Sequence, residues 1–274
     1  MKRAWADDAL RRVETETPVA LVTLTQVLGS APREPGAQML VWSDGQSGTI
    51  GGGNLELMLT RDARALLGAG DVSEEFEYPL GPILGQCCGG RVRARIERLR
   101  QESAFALLHD ANRTEAKWPA LYLFGAGHVG EALARAIEPL PFRLHWRDTR
   151  SEFCGVATLI DDPRAEVTRA ERSAYFLVLT HNHDLDYEIV RAVLARRDSA
   201  YCGLIGSKSK RARFERQLRA DGLGDKLHEL TCPIGGAIGL KSKEPAVIAA
   251  ATVAEMLLVL EARQVQAAEN AHAK

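Results

Sequence analysis

Cysteine is scarce and odd in number: five in 274 residues, at Cys87, Cys88, Cys154, Cys202 and Cys232. A scattered, odd set makes a poor disulfide framework, which excludes a small stapled scaffold. Net charge is almost absent, with 35 Lys and Arg against 36 Asp and Glu. No global field therefore draws the chain to nucleic acid or to an anionic membrane, although local basic clusters exist. Long apolar runs are missing as well. The stretch MKRAWADDALRRVETETPVA has no apolar h-region and does not read as a secretory signal. The most apolar segment, EPAVIAAATVAEMLLVLEARQ, is interrupted by Glu255 and too polar at its ends for a membrane span. There is no internal repeat and no low-complexity tract, only an Ala-rich tail after Arg263 that is expected to fray. The expectation is a globular cytoplasmic protein that binds neither nucleic acid nor membrane.

What is present divides in two. Residues 5–15 have an amphipathic helical pattern, and PVALVTLTQVLGS alternates as a β-branched strand. QMLVWSDGQSGTIGGG reads as a strand, an Asp44-Gly45 hairpin signal and a short return. A helix opens at Asn54, with Leu55, Leu59, Ala63 and Leu66 on one face. Residues 72–80 and RVRARIERL complete a small α+β domain over residues 1–112. The polar stretch DANRTEAKWPA marks a boundary, and a second domain follows over 119–274. There, strands LYLFGAG, FRLHWRD, ATLIDD, YFLVLTH and YCGLIGS alternate with helices, the pattern of a parallel sheet covered on both faces. The fold class expected is α/β: a Rossmann-like parallel sheet preceded by a smaller α+β domain.

Gly125-Ala126-Gly127-His128-Val129-Gly130 follows a strand and opens a helix, the context a phosphate-binding fingerprint requires. Gly125 allows the tight turn, Gly127 lets a phosphate approach the backbone, and Gly130 permits close helix packing. Free N–H groups at the helix start favour an anion. Asp148, at the end of the next strand, stands where a carboxylate bonds a ribose hydroxyl, though Arg147 and Arg150 can pair with it instead. In THNHDLD, His181 and His183 end a buried strand and can contact ligand or handle protons. Alternatively the segment is a polar turn capping the next helix through Asp184, and without a third ligand it argues little for metal. Gly206, Ser207 and Lys208 repeat the strand-glycine-helix arrangement, which offers a second anion seat or a merely solvated basic face.

GQCCGG sets Cys87 and Cys88 side by side on a glycine loop. Neighbouring cysteines form only a strained bridge, so the pair reads as soft ligands or nucleophiles, as a redox sensor, or as small packed core residues. Cys154, Cys202 and Cys232 read as structural. GSAPREPGAQMLV, GTIGGGNLE, LGQCCGG, LFGAGHVGEAL, THNHDLD, YCGLIGSKSKRARF and CPIGGAIGLKSKEPA together resemble the XdhC/CoxI family, in that family's order and over residues 20 to 260. CPIGGAIGLKSKEP departs from the family form in being longer and richer in glycine, which leaves the role of residues 235–241 open.

The resemblance implies an accessory protein that binds the molybdenum cofactor in its molybdopterin form and supports its sulfuration. It implies delivery to apo xanthine dehydrogenase or a related molybdenum hydroxylase, with a cysteine desulfurase as sulfur source. It also implies a maturation factor rather than an enzyme with turnover of its own, and leaves room for a homodimer. On that reading Cys87 and Cys88 contact molybdenum or transferable sulfur, and one of them lies near Gly125–Gly130 or His181. The alternatives are an NAD(P)-dependent oxidoreductase, or another nucleotide binder, carried by GAGHVG and Asp148, and a non-catalytic redox or scaffold protein.

Overall fold

The structure is a computed structural model that describes residues 2–29, 33–70, 72–80 and 90–272. It divides into two compact units, residues 1–114 and 115–274.

The first unit begins with α1 (Lys2–Glu14), then β1 (Ala20–Leu28), β2 (Gln38–Trp42) and β3 (Gly45–Gly48). α2 (Gly53–Ala69), β4 (Ser73–Pro79), β5 (Arg91–Arg98) and α3 (Gln101–Glu115) complete it. The five strands form an antiparallel sheet in the order β3-β2-β1-β5-β4. Side chains alternate across a strand, and the two faces take different helices. Ala20, Val22, Leu24, Met39 and Val41 pack with Leu55, Leu59, Ala63 and Leu66 of α2. Leu21 and Leu40 point the other way, to Ala9 of α1 and Ala104 of α3. Two expectations shift here. Trp42 pairs with Gly45, so the hairpin loop is Ser43-Asp44 and not Asp44-Gly45. DANRTEAKWPA is not wholly a linker, since α3 continues to Glu115.

The second unit runs β6 (Ala120–Phe124), α4 (His128–Ile137), β7 (Arg143–Asp148), β8 (Thr158–Leu159), α5 (Pro163–Arg169) and β9 (Tyr175–Val178). α6 (His183–Arg196), β10 (Tyr201–Leu204), α7 (Lys208–Ala220), β11 (Leu230–Thr231) and α8 (Pro245–His272) follow. All six strands are parallel, in the order β11-β10-β9-β6-β7-β8. Counted within the unit this is the doubly wound order 3-2-1-4-5-6, which reverses direction between β6 and β9. Alternation again assigns the faces. Leu121, Leu123, Tyr175 and Leu177 pack with Leu133 and Ile137 of α4 and Met256 of α8. Tyr122, Phe124, Phe176 and Val178 face Val167 of α5, Ile189 of α6 and Phe214 of α7.

α5 and β11 carry too few periodic residues to read from sequence. The tail after Arg263, expected to fray, is helical to His272, in keeping with the helix propensity of Ala, Gln and Glu. By length and composition α8 is apolar enough to cross a membrane. Its Ala249, Thr252, Glu255 and Met256 are nonetheless buried within the unit, and Glu255 accepts a hydrogen bond from the Tyr201 hydroxyl at 2.6 Å.

Candidate functional site

In an open parallel sheet, ligands sit beyond the carboxyl ends of the strands, at the point where strand order reverses. The loops after β6, β7, β9 and β10 all open there, and Gly125–Gly130, Asp148, THNHDLD and Gly206–Lys208 lie on or beside them, while CPIGGAIGLKSKEPA follows β11. The turn after β6 has no room for side chains at two of its glycines. A Cβ on Gly125, whose φ is +120°, would stand 2.1 Å from the Leu179 carbonyl oxygen. One on Gly130 would stand 2.1 Å from the carbonyl oxygen of Gly125. The Gly125 N–H donates to the Arg147 carbonyl at 2.8 Å, and Trp146 Nε1 donates to the Gly125 carbonyl at 3.0 Å. Both bonds tie the turn to β7.

Gly127 is different. Among the described residues, a Cβ there would meet nothing within 4 Å. It is the N-cap of α4, and among the described residues no side chain caps it. By contrast Asn182 caps α6, accepting from Asp184 N at 2.7 Å, and Ser207 caps α7, accepting from Lys210 N at 3.2 Å. An N-terminus with free N–H groups, a positive dipole end and open space above its first glycine is a seat for an anion. His128 is exposed there, while Val129 packs toward the core and offers its backbone alone.

Asp148 is buried, 5% exposed. Its Oδ2 accepts from the Ala126 N–H at 2.7 Å and from Arg150 Nη2 at 2.9 Å. Its Oδ1 accepts from the Arg150 N–H at 2.9 Å and from Arg150 Nε at 3.0 Å. Burial pushes the carboxyl pKa up, but the hydrogen bonds from Arg150 and Ala126 outweigh it and the net shift is downward. Of the two sequence readings of Asp148, pairing with Arg150 is the contact made here.

His181 and His183 are both exposed. The cap of α6 is Asn182 rather than Asp184, so the turn reading of this segment named the wrong side chain. The residue in this motif that sequence reasoning passed over is Asp186, which is fully buried. Its Oδ1 accepts from Thr180 N at 2.9 Å and from the Thr180 hydroxyl at 2.7 Å. Its Oδ2 accepts from Lys210 Nζ at 2.5 Å, and Lys210 also donates to the Ile205 carbonyl at 3.0 Å. This buried pair ties the loop after β9 to the loop after β10. Its only sequence signal was an Asp four positions past the cap residue of one motif and a Lys three positions past that of the other.

Gly206 makes the pair possible, because a Cβ there would lie 2.9 Å from Lys210 Cδ and 3.3 Å from Cys232 Sγ. It is thus a packing glycine, while Ser207 and Lys208 are exposed at the α7 terminus. Cys202 and Cys232 are buried, and burial pushes their thiols up to about 12 and about 11, which keeps them protonated and unreactive near neutral pH. Among the described residues no cluster of three or more His, Cys, Asp and Glu could hold a metal ion. Cys87 and Cys88 lie outside the described residues.

In the first unit, Glu56 arranges its own loop. Its carboxylate accepts from Thr49 Oγ1 at 2.6 Å, Gln46 Nε2 at 2.7 Å, Gly52 N at 3.0 Å and Ile50 N at 3.1 Å.

Comparison with known proteins adds the following. Residues 121–256 match the family described as the XdhC Rossmann domain, and residues 13–79 match the XdhC and CoxI family. The chain is 29% identical over 271 residues to the uncharacterized protein YqeB of Escherichia coli K12, covering 92% of this chain and 45% of that protein. It is 32% identical over 130 residues to the molybdenum cofactor insertion chaperone PaoD of the same organism, covering 46% of this chain and 39% of that protein. The chain therefore spans less than half the length of these two curated relatives. A crystal structure described as a xanthine dehydrogenase from Bacillus halodurans superposes with a TM-score of 0.72 at 21% identity, over 93% of this chain and 96% of that one. At that identity the likeness is one of fold.

Proposed function

The chain belongs to the XdhC and CoxI family, and on that premise we propose that it binds the molybdenum cofactor and acts in the maturation of a molybdenum enzyme. The observation that carries this reading is the uncapped, sterically open N-terminus of α4 at the reversal point of the sheet, where a terminal phosphate finds N–H donors. A relative named for cofactor insertion supports it. When bound, the cargo brings a pterin dithiolene and a soft metal–sulfur centre, for which thiols and exclusion of water are suited.

The residues divide the work. Gly125 and Gly130 shape the turn, while Gly127, His128 and Val129 present backbone donors. Asp186 and Lys210 hold the loop that carries His181 and His183, which contact ligand or move a proton at an imidazole nitrogen. Cys87 and Cys88 contact molybdenum or the sulfur transferred to it. The finer reading is that the protein supports sulfuration with a cysteine desulfurase as donor. It then delivers the cofactor in the cytoplasm to apo xanthine dehydrogenase or a related molybdenum hydroxylase, as a monomer or a homodimer.

The test is to purify the chain from a host that makes the cofactor, oxidise it, and measure the fluorescent pterin product. Bound pterin in proportion to protein supports the proposal, and none at any stoichiometry overturns it. Cys87→Ala and Cys88→Ala then separate binding from sulfur handling: if each variant keeps full pterin content and full activation of the partner, neither thiol has the role assigned. An NAD(P)-dependent oxidoreductase remains the second reading, because the same strand order and glycine turn serve dinucleotides. Saturable binding of NAD(P)H with cofactor-dependent turnover would favour it.

A further inference from the structure

We infer that Arg150 sets the ligand specificity of the second unit: it occupies the Asp148 carboxylate, so the turn after β6 takes ligands that end in phosphate and turns away those that need a free carboxylate for a ribose diol. This rests on the phosphate seat proposed above. In sheets of this strand order, the acid at the end of the second strand bonds the ribose hydroxyls of a dinucleotide. Asp148 stands at that position, but its acceptor capacity is spent. A carboxylate offers about four lone-pair sites, and Ala126 N, Arg150 N, Arg150 Nε and Arg150 Nη2 each use one.

Arg150 is itself held from further directions. Its guanidinium carbon lies 4.3 Å over the Phe153 ring, and its Nη1 is 3.6 Å from Glu152. A neutral diol would have to replace charge-assisted, two-pronged bonds with weaker neutral ones, so the exchange is unfavourable. The hollow beside the carboxylate is small as well. The hollow lined by Thr149, Ile160, Pro163 and Thr180 has a volume of about 10 Å³, room for about one water and not for a nucleobase. The other end of the same turn is open among the described residues, none of which stands within 4 Å of a Cβ on Gly127. One end of the seat therefore admits an anion while the other is shut by the chain's own arginine.

The experiment is calorimetric titration of the full chain with NAD+ and, separately, with sodium pyrophosphate. It uses wild type, Arg150→Ala, Arg150→Gln and the double variant Arg150→Ala/Asp148→Asn, with circular dichroism to establish that each is folded. Wild type should bind pyrophosphate. Both single Arg150 variants should bind NAD+ about tenfold or more tightly than wild type does, and the double variant should lose that gain. A merely structural role for Arg150 would not produce a gain that depends on the Asp148 charge. NAD+ bound equally by wild type and variants, or folded single variants that bind pyrophosphate yet gain nothing for NAD+, would overturn the inference alone. Pyrophosphate bound by none of the four proteins would overturn the phosphate seat and this inference with it.

Discussion

At the scale of single residues, one methyl group separates the roles of the three glycines after β6. A Cβ on Gly125 or Gly130 would collide with backbone, which cannot swing aside as a side chain can. Gly125→Ala and Gly130→Ala should each cost about 2–4 kcal/mol in chemical denaturation, in the range of buried strain and overpacking. Gly127→Ala should leave stability within about 0.5 kcal/mol, while weakening binding of a phosphate-bearing ligand, because the open space is where the ligand's oxygen must come. Titration with pyrophosphate beside a urea melt distinguishes the two classes. Asp186→Asn breaks a buried pair and strands Lys210, and a loss of about 3–5 kcal/mol is expected.

Acid dependence also belongs to single residues. Burial pushes the Glu56 carboxyl up, but hydrogen bonds from Thr49, Ile50, Gly52 and Gln46 hold it on balance below its ordinary value of 4.5. A depressed folded-state pKa stabilises the protein above the unfolded value, and that stabilisation is lost as pH falls through the folded one. The stability gap between wild type and Glu56→Gln should therefore be full above pH 4.5 and shrink below it, as read by urea melts. A gap that stays constant across that window would contradict the geometry.

At the scale of elements, periodicity revealed the long helices and the central strands, because one apolar face leaves a repeat of two or of three to four residues. α2 was legible from Leu55, Leu59, Ala63 and Leu66, all of which are buried. α5 and β11 were not, being too short to show a period. The far end of α8 was misread because exposed Ala and Gln carry no periodic signal, although they favour helix. Where α8 enters the core, a buried carboxylate helps anchor it. Glu255 is 6% exposed and accepts from Tyr201 Oη, with a longer contact of 3.4 Å from Ala237 N. Tyr201→Phe should cost about 1–3 kcal/mol by leaving that carboxylate short of a donor. Thermal melts of Tyr201→Phe, with or without Glu255→Gln, measure it, and the double variant should recover part of the loss.

At the scale of the whole molecule, each unit has its own sheet, its own helices on both faces and its own core. A core that closes on itself can fold alone. Residues 115–274 expressed separately should therefore unfold in one cooperative transition and retain pyrophosphate binding, since every residue of the proposed seat lies within them. A non-cooperative melt of that fragment would mean that the first unit supplies part of its stability. Pterin content measured on the fragment and on the full chain then shows how much of cofactor binding depends on residues 1–114, where Cys87 and Cys88 reside.

The sequence by itself determined the elements with strong periodicity, the doubly wound character of the second unit, the glycine turn and the family. These are encoded locally, in backbone limits that only glycine satisfies and in apolar repeats. Tertiary structure decided what each polar group faces. It took strand order to bring Asp148 to the N–H of Ala126 across β6 and β7, and it took the folded loop to decide between the two partners the sequence offered that carboxylate, a ribose and Arg150 two positions on. It took the adjacency of β9 and β10 to join Asp186 to Lys210, 24 positions apart in the chain. Spacing locates a charge along the chain, but only packing fixes its partner, and the partner decides whether that charge remains available to a ligand.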